Sequence, residues 1–181
     1  GTLAQEYHMA DYDSDEESND AANAYAIAIA PILRRLPKRK NALEIGTGTG
    51  IFLEHLQSVG FGNVVGIEPS MAAISAAPKE RRSWIKQGIF NEADFQPGSF
   101  DLICCFMTLE HVQDPGQLVH SAYNLLRKGG VFMAVTHDYK STINRVLGHK
   151  SPIIDIEHMQ LFSRNSVKDL LHRANFSDVG V

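Results

Sequence analysis

Cysteine is nearly absent from this chain of 181 residues: the two present, Cys104 and Cys105, are neighbours in an apolar run. Adjacent cysteines cannot tie distant segments together, so a disulfide-stapled secreted scaffold is excluded and a reducing compartment, the cytoplasm, is expected. No apolar stretch reaches the roughly 18 residues of a membrane span. The first residues have neither the basic nor the apolar region of a secretory signal. No unit of about 20–50 residues recurs, which sets aside solenoids and propellers. Charge of one sign is scarce as well. The chain carries 17 Lys and Arg against 21 Asp and Glu, and seven of those acids (Glu6, Asp11, Asp13, Asp15, Glu16, Glu17 and Asp20) precede Arg34, the first Lys or Arg. The remainder is close to neutral, so charge provides no grip on nucleic acid or on an anionic membrane.

What is present is an alternation of element types. Residues 1–20 are polar and acidic and read as a flexible leader; residues 21–181 read as a single domain. An Ala-rich segment from Ala21 to Leu36 places Tyr25, Ile29, Ile32, Leu33 and Leu36 at helical spacing, with Pro31 as an interruption. Strands are expected over Asn41–Gly46, Val64–Glu68, Trp84–Gln87, Phe100–Phe106, Val131–Thr136 and Ser177–Val181. Helices are expected over Gly50–Ser58, Ser70–Ala77, Pro115–Leu126 and Ser163–Ala174. Runs such as Ile103-Cys104-Cys105-Phe106 are apolar at consecutive positions, as strands covered on both faces are. The fold class is therefore α/β, a parallel sheet with helices on both sides. Ligands of such sheets lie beyond the carboxyl ends of the strands, where the strand order reverses.

Leu43-Glu44-Ile45-Gly46-Thr47-Gly48-Thr49-Gly50 stands where a strand hands over to a helix. Glycines allow a tight turn and the close approach of a ligand to main chain. Eighteen residues after Gly50, Glu68 closes the next strand, where a carboxylate can accept both hydrogen bonds of a ribose diol. The spacing is G-x-G-x-G, not the G-x-G-x-x-G of a nicotinamide site, and no G-K-[ST] follows, so dehydrogenase and P-loop readings are disfavoured.

The stretch Leu43–Gly50 together with Val65-Gly66-Ile67-Glu68-Pro69-Ser70 closely resembles the first two motifs of the class I S-adenosylmethionine-dependent methyltransferases. Further runs resemble that family in the right order. They are Gly98–Ile103, Leu109-Glu110-His111-Val112-Gln113-Asp114-Pro115, Leu125–Phe132, and Glu157–Ser163, the last as in the ubiquinone-biosynthesis-like branch. The resemblance covers roughly Asn41–Val181. It implies a Rossmann-like α/β/α sandwich with a mostly parallel seven-stranded sheet, order 3-2-1-4-5-7-6, from which the last strand is expected to be missing.

The resemblance also implies the cofactor, S-adenosylmethionine, and its contacts. The turn of Glu44, Gly46, Thr47, Gly48 and Gly50 would flank the methionine part. Glu68 would hold the ribose, and Pro69, Ser70 and Met71 would line the adenine side, with Met71 equally readable as helix packing. Phe106 would pass its main chain beside the methionine end. Where the family commonly has Gly-Asp-Ala, this chain has Gly88-Ile89-Phe90-Asn91, so Asn91 or a backbone carbonyl would take the place of the acid and Phe90 or Ile89 would pack on the adenine.

Methyl transfer from a sulfonium needs alignment and exclusion of water, and a base only where the acceptor must lose a proton. His111, His137 and His158 are the candidate bases; each also reads as an ordinary turn or strand-end residue. No metal is expected, because Met107 stands where an E-x-x-E-H pattern would begin and Glu110 with His111 makes a poor ligand pair. Cys104 and Cys105 read as core. Residues 138–162 read as an acceptor lid carrying Tyr139, Ile143, Val146, Leu147, Pro152, Ile153, Ile154 and Ile156. Together with Tyr12 and Tyr25, that lid points to a small acceptor, apolar or, through Lys140, Arg145 and Lys150, anionic. The same apolar face also reads as a dimer contact, leaving monomer and homodimer both open. A second function class, a non-catalytic cofactor-binding scaffold of the same fold, stays beside the enzyme reading.

Overall fold

The computed structural model describes residues 15–151, 153 and 158–181. Five parallel strands form one sheet in the order β3-β2-β1-β4-β5: β1 is Asn41–Ile45, β2 Asn63–Glu68, β3 Ile85–Gln87, β4 Phe100–Phe106 and β5 Leu126–Val135. The main helices are α1 (Asp15–Arg35), α2 (Ile51–Ser58), α3 (Met71–Ala76), α4 (Lys79–Arg82), α5 (Pro115–Leu125), α6 (Thr142–Leu147) and α7 (Arg164–Arg173). This is the three-layer α/β/α arrangement expected, holding the first five strands of the order 3-2-1-4-5-7-6.

Strand alternation divides the core into two layers. On one face Ala42, Val64, Leu102, Cys104 and Phe106 pack against Ile29 and Leu33 of α1 and Phe52, Leu53 and Leu56 of α2. On the other, Leu43, Ile45, Ile67, Ile103 and Cys105 meet Leu118, Val119, Ala122 and Leu125 of α5 and Phe162. Cys104 and Cys105 therefore face opposite helical layers, both fully buried. Each large side chain so buried contributes about 1.5–3 kcal/mol.

Three expectations need correction. The acidic stretch from Asp15 to Asp20 is not a flexible leader but the first part of α1, which runs on through Pro31 to Arg35; residues 1–14, Tyr12 among them, lie outside the described residues. Pro31 removes the hydrogen bond to the carbonyl of Ile27, four residues earlier, and Ile27 is 76 % exposed, so water can take that acceptor. The strand β5 begins at Leu126, not Val131. Phe100 pairs with Leu126 and Leu102 with Val131, so residues 127–130 bulge opposite Asp101, with Gly129 at φ 76°. Arg127 closes the bulge by an ion pair with buried Asp101, whose carboxylate also accepts from Lys40 N (2.7 Å) and Asn41 N (2.9 Å). Finally, residues 177–181 form no strand. A strand needs a neighbour to supply its ladder, and among the described strands β5 pairs with β4 alone.

Candidate active site

The strand order reverses between β1 and β4, and there the glycine turn meets the end of β4. Gly46 donates to Ile67 O (2.9 Å), Thr47 N to the same oxygen (3.1 Å), and Gly50 N to Thr47 O (2.9 Å). Gly46 and Gly48 both have positive φ, 76° and 57°, which a side chain would strain. A Cβ on Gly46 would also stand 2.1 Å from Thr108 Oγ1. The turn is thus pressed against the first residues after β4, and its main chain faces the space above the sheet.

That space is a cavity of about 1610 Å³. Of the thirteen residues expected to hold the cofactor, ten line it: Glu44, Gly46, Thr47, Gly48, Glu68, Pro69, Ile89, Phe90, Asn91 and Phe106. The other three do not, and each has a structural task or none. Gly50 caps α2 at φ 72° against Ile85. Ser70 caps α3, its Oγ accepting from Ala73 N at 3.3 Å. Met71 is half exposed on α3.

Glu68 is the organising residue. It is 4 % exposed, and its two carboxylate oxygens accept from Gly48 N and Ser70 N, both at 2.8 Å. One side chain therefore joins the glycine turn to the start of α3. Glu44 lies beside it in β1, buried, and accepts from Thr47 Oγ1 at 2.5 Å. Burial, with the nearby Glu68, pushes the Glu44 carboxyl up to about 8 despite the Thr47 hydrogen bond. It is largely protonated at neutral pH, ready to ionise if a cation enters.

Asn91 lines the cavity where an acid was missing, and its Oδ1 accepts from Ala93 N at 3.1 Å to start a short 3₁₀ turn. Phe90 stacks near Phe95, ring centroids 6.5 Å apart. At the other end Tyr25 stacks on Phe106 at 4.2 Å, and Phe52 meets Phe106 edge-on at 4.9 Å. Burial first, then Glu44 and Glu110, push the Tyr25 hydroxyl above its ordinary value.

The three histidines separate. His111 lines the cavity; His137 and His158 do not, and gather with Glu110 behind it. Among the described residues of the expected lid, only Met159 lines the wall. Tyr139, Ile143, Val146 and Leu147 face solvent, while Pro152, Ile154 and Ile156 lie outside the described residues. Residues not anticipated also line the wall, among them Gln87, Gln96, Thr108, Gln113 and Met107. Met107 has φ 48°, a left-handed conformation that is strained for a non-glycine residue and concentrates at functional sites; no sequence signal marks it. The cysteines are as expected: burial holds both thiols well above their ordinary value.

A family model described as a methyltransferase domain matches residues 18–181. The ubiquinone biosynthesis O-methyltransferase of Pseudomonas aeruginosa is 34 % identical over 116 residues, covering 59 % of this chain and 45 % of that protein. The enzyme of the same description from Cupriavidus pinatubonensis is 35 % identical over 117 residues, 60 % of this chain and 43 % of its own. The chain spans about half the length of the curated relatives it matches. Among solved structures, a Thermotoga maritima protein described as a SAM-dependent methyltransferase, possible histamine N-methyltransferase, superposes with TM-score 0.63 at 25 % identity, covering 84 % of this chain and 72 % of that one. A SAM-dependent methyltransferase from Archaeoglobus fulgidus gives TM-score 0.69 at 15 % identity, over 87 % and 70 % of the two chains, a likeness of fold.

Proposed function

Because the chain belongs to the methyltransferase-domain family and carries the fold of S-adenosylmethionine-dependent enzymes, we propose that it transfers the methyl group of S-adenosylmethionine to a small acceptor at the far end of the cavity. The observation that carries the reading is Glu68: a buried strand-end carboxylate, fixed by two backbone N–H groups, on the wall of a cavity opened by left-handed glycines. The left-handed turn at Gly46–Gly48 brings main chain to the cavity wall, which suits the methionine part of the cofactor. Glu68 accepts from the ribose hydroxyls, and Ile89, Phe90 and Asn91 border the adenine.

When bound, the cofactor supplies an electrophilic methyl on a cationic sulfur. This chain's part is to orient and to exclude water. Tyr25, Phe52 and Phe106 wall the cavity with aromatic surface, and His111 is the candidate base of the three that stands on it. Among the described lining residues the acidic side chains are Glu68, Glu92, Asp114 and Glu44, the last held largely protonated by burial, and no Lys or Arg is present. Lys140, Arg145 and Lys150 are not on the wall. This favours a neutral or cationic acceptor with an apolar body over an anionic one. The O-methyltransferase relatives make an oxygen acceptor the first class to test. No helix among the described residues is long and apolar enough to cross a membrane; the two free, buried thiols Cys104 and Cys105 support a reducing compartment, the cytoplasm, as part of the proposal.

Isothermal titration tests the reading. S-adenosylmethionine and S-adenosylhomocysteine should both bind with one site per chain, and Glu68→Ala should weaken binding by at least about tenfold, the equivalent of about 1.4 kcal/mol. Unchanged affinity in Glu68→Ala would remove the ribose role, and binding of NAD in place of the sulfur ligands would overturn the cofactor.

A further inference from the structure

Behind the cavity wall, three side chains far apart in sequence converge. Glu110 belongs to the 3₁₀ turn Leu109–His111 that follows β4, His137 follows β5, and His158 lies in the segment leading back to α7. Glu110 is 2 % exposed. Its Oε1 is 3.2 Å from His137 Nδ1, while its Oε2, though buried, has no hydrogen-bond partner. His158 Nδ1 is likewise buried and without one. One ligand atom from each of Glu110, His137 and His158 lies within 4.8 Å of the others. The His158 ring is 4.9 Å from that of His111 and 5.5 Å from that of His137.

We propose that Glu110, His137 and His158 form a binding site for a divalent first-row transition ion, with Zn²⁺ as the reference case. Two imidazoles and one carboxylate are the donors such ions take, whereas Mg²⁺ and Ca²⁺ prefer oxygen alone. Tetrahedral metal bonds of about 2.0–2.2 Å set ligand atoms roughly 3.3–3.6 Å apart. The three atoms therefore need to close by at most about 1.5 Å, within reach of side-chain rotations. The bond to the ion would partner the orphaned Glu110 oxygen or the His158 nitrogen. The His137 side chain is 43 % exposed, leaving a path for ion entry and a coordination position for water.

The site's task is to fasten, not to react. None of its three ligands lines the cavity, but their neighbours His111 and Met159 do. The returning segment is already held to the strand ends: Gln160 N donates to Glu110 O (3.1 Å) and Tyr139 N to Phe162 O (2.9 Å), and Asp138 bridges to Phe162. An ion would tie that segment to both β4 and β5 and steady His111 through the His158 ring. Ligands adjacent in sequence were the pair that argued against a metal; folding supplies two histidines from elsewhere, and His111 is not needed.

The test uses the full chain, freed of any histidine tag and stripped with chelator. Zn²⁺ titrated by competition with a chromophoric chelator should bind at one ion per chain, and Co²⁺ should give visible d–d absorption. His137→Ala and His158→Gln should each weaken Zn²⁺ binding by at least about tenfold, the scale on which even outer-shell partners act, and lose the cobalt band. His172→Ala, an exposed histidine of α7, should change neither. S-adenosylhomocysteine titrated in parallel reports the fold and the cofactor site separately, so a lost cofactor reading leaves the metal result interpretable. Failure of Zn²⁺ and Co²⁺ to bind stoichiometrically, or binding that survives both substitutions, would overturn the proposal. The cluster would then be a hydrogen-bonded Glu110–His137 pair beside a histidine.

Discussion

Replacing Glu44 with Gln should make the protein more stable at alkaline pH while changing little in acid. Glu44 sits in the middle strand, paired between Gly66 and Cys104, where burial and Glu68 raise its carboxyl from the ordinary 4.5 to about 8. The folded protein therefore holds a proton that the unfolded chain releases above 4.5. The associated stability is fully present below that value and is lost as pH rises to about 8. At about 1.4 kcal/mol per tenfold change in acidity, the loss has a ceiling on the order of 5 kcal/mol. Relaxation around the ionised carboxylate should reduce it to about half. Gln is nearly isosteric, keeps an acceptor for the Thr47 hydroxyl and does not titrate. Urea unfolding of both proteins at about pH 5, 7 and 9 isolates the effect, because other titrating groups cancel in the difference. The stability of Glu44→Gln relative to the parent should rise by about 2–4 kcal/mol between the lowest and highest pH. A difference that stays constant within about 0.5 kcal/mol would show that Glu44 ionises normally in the fold.

Three further outcomes follow from contacts already described. Gly46→Ala places a methyl against Thr108 Oγ1 at a left-handed φ; urea unfolding should show a loss of about 2–4 kcal/mol, with S-adenosylhomocysteine binding abolished and partly recovered in Gly46→Ala/Thr108→Ala. Asp101→Asn breaks the ion pair with Arg127 and should cost about 3–5 kcal/mol at neutral pH. Burial alone would raise the Asp101 carboxyl, but hydrogen bonds from Arg127, Asn41 and Lys40 outweigh it and hold it below its ordinary value. Its contribution is therefore present above the usual 3.8 and lost as pH falls through the lowered value; acid titration of stability should be shallower in Asp101→Asn. Cys104 and Cys105 should be inert to a thiol-exchange reagent in the native protein and react together in guanidinium, and a fast native reaction would place one of them outside the core.

The parts of this molecule legible in sequence are those governed by local pattern. Strand β4 is found where it was expected because all seven of its residues are buried, and an apolar run without alternation has few other uses. The glycine turn was legible because glycines at Gly46 and Gly48 let the backbone be left-handed at the cavity wall. The helical start at Asp15 was not, since an acidic run carries no apolar period and the stripe that holds α1 to the sheet begins only at Ala22. The early start of β5 was hidden by Gly129 and Gly130, which read as a turn and serve as a bulge. The site divides in the same way. Glu68 announces itself by its distance from the glycines, whereas its hold on Gly48 and Ser70 depends on β1 and β2 being neighbours. The meeting of Glu110, His137 and His158 depends on β4 pairing with β5 and on the return of the chain towards α7, and no spacing encodes it. His137 and His158 resembled bases in sequence for the same reason that His111 did, and only the fold puts His111 on the wall and the other two behind it.

A crystal structure with S-adenosylhomocysteine would show whether the cavity over Gly46–Gly50 is an S-adenosylmethionine site organised by Glu68. The ribose hydroxyls should lie at hydrogen-bonding distance from Glu68, the methionine part along the glycine turn, and the sulfur towards Tyr25, Phe106 and His111. A nucleoside bound elsewhere, or with its ribose away from Glu68, would contradict that assignment.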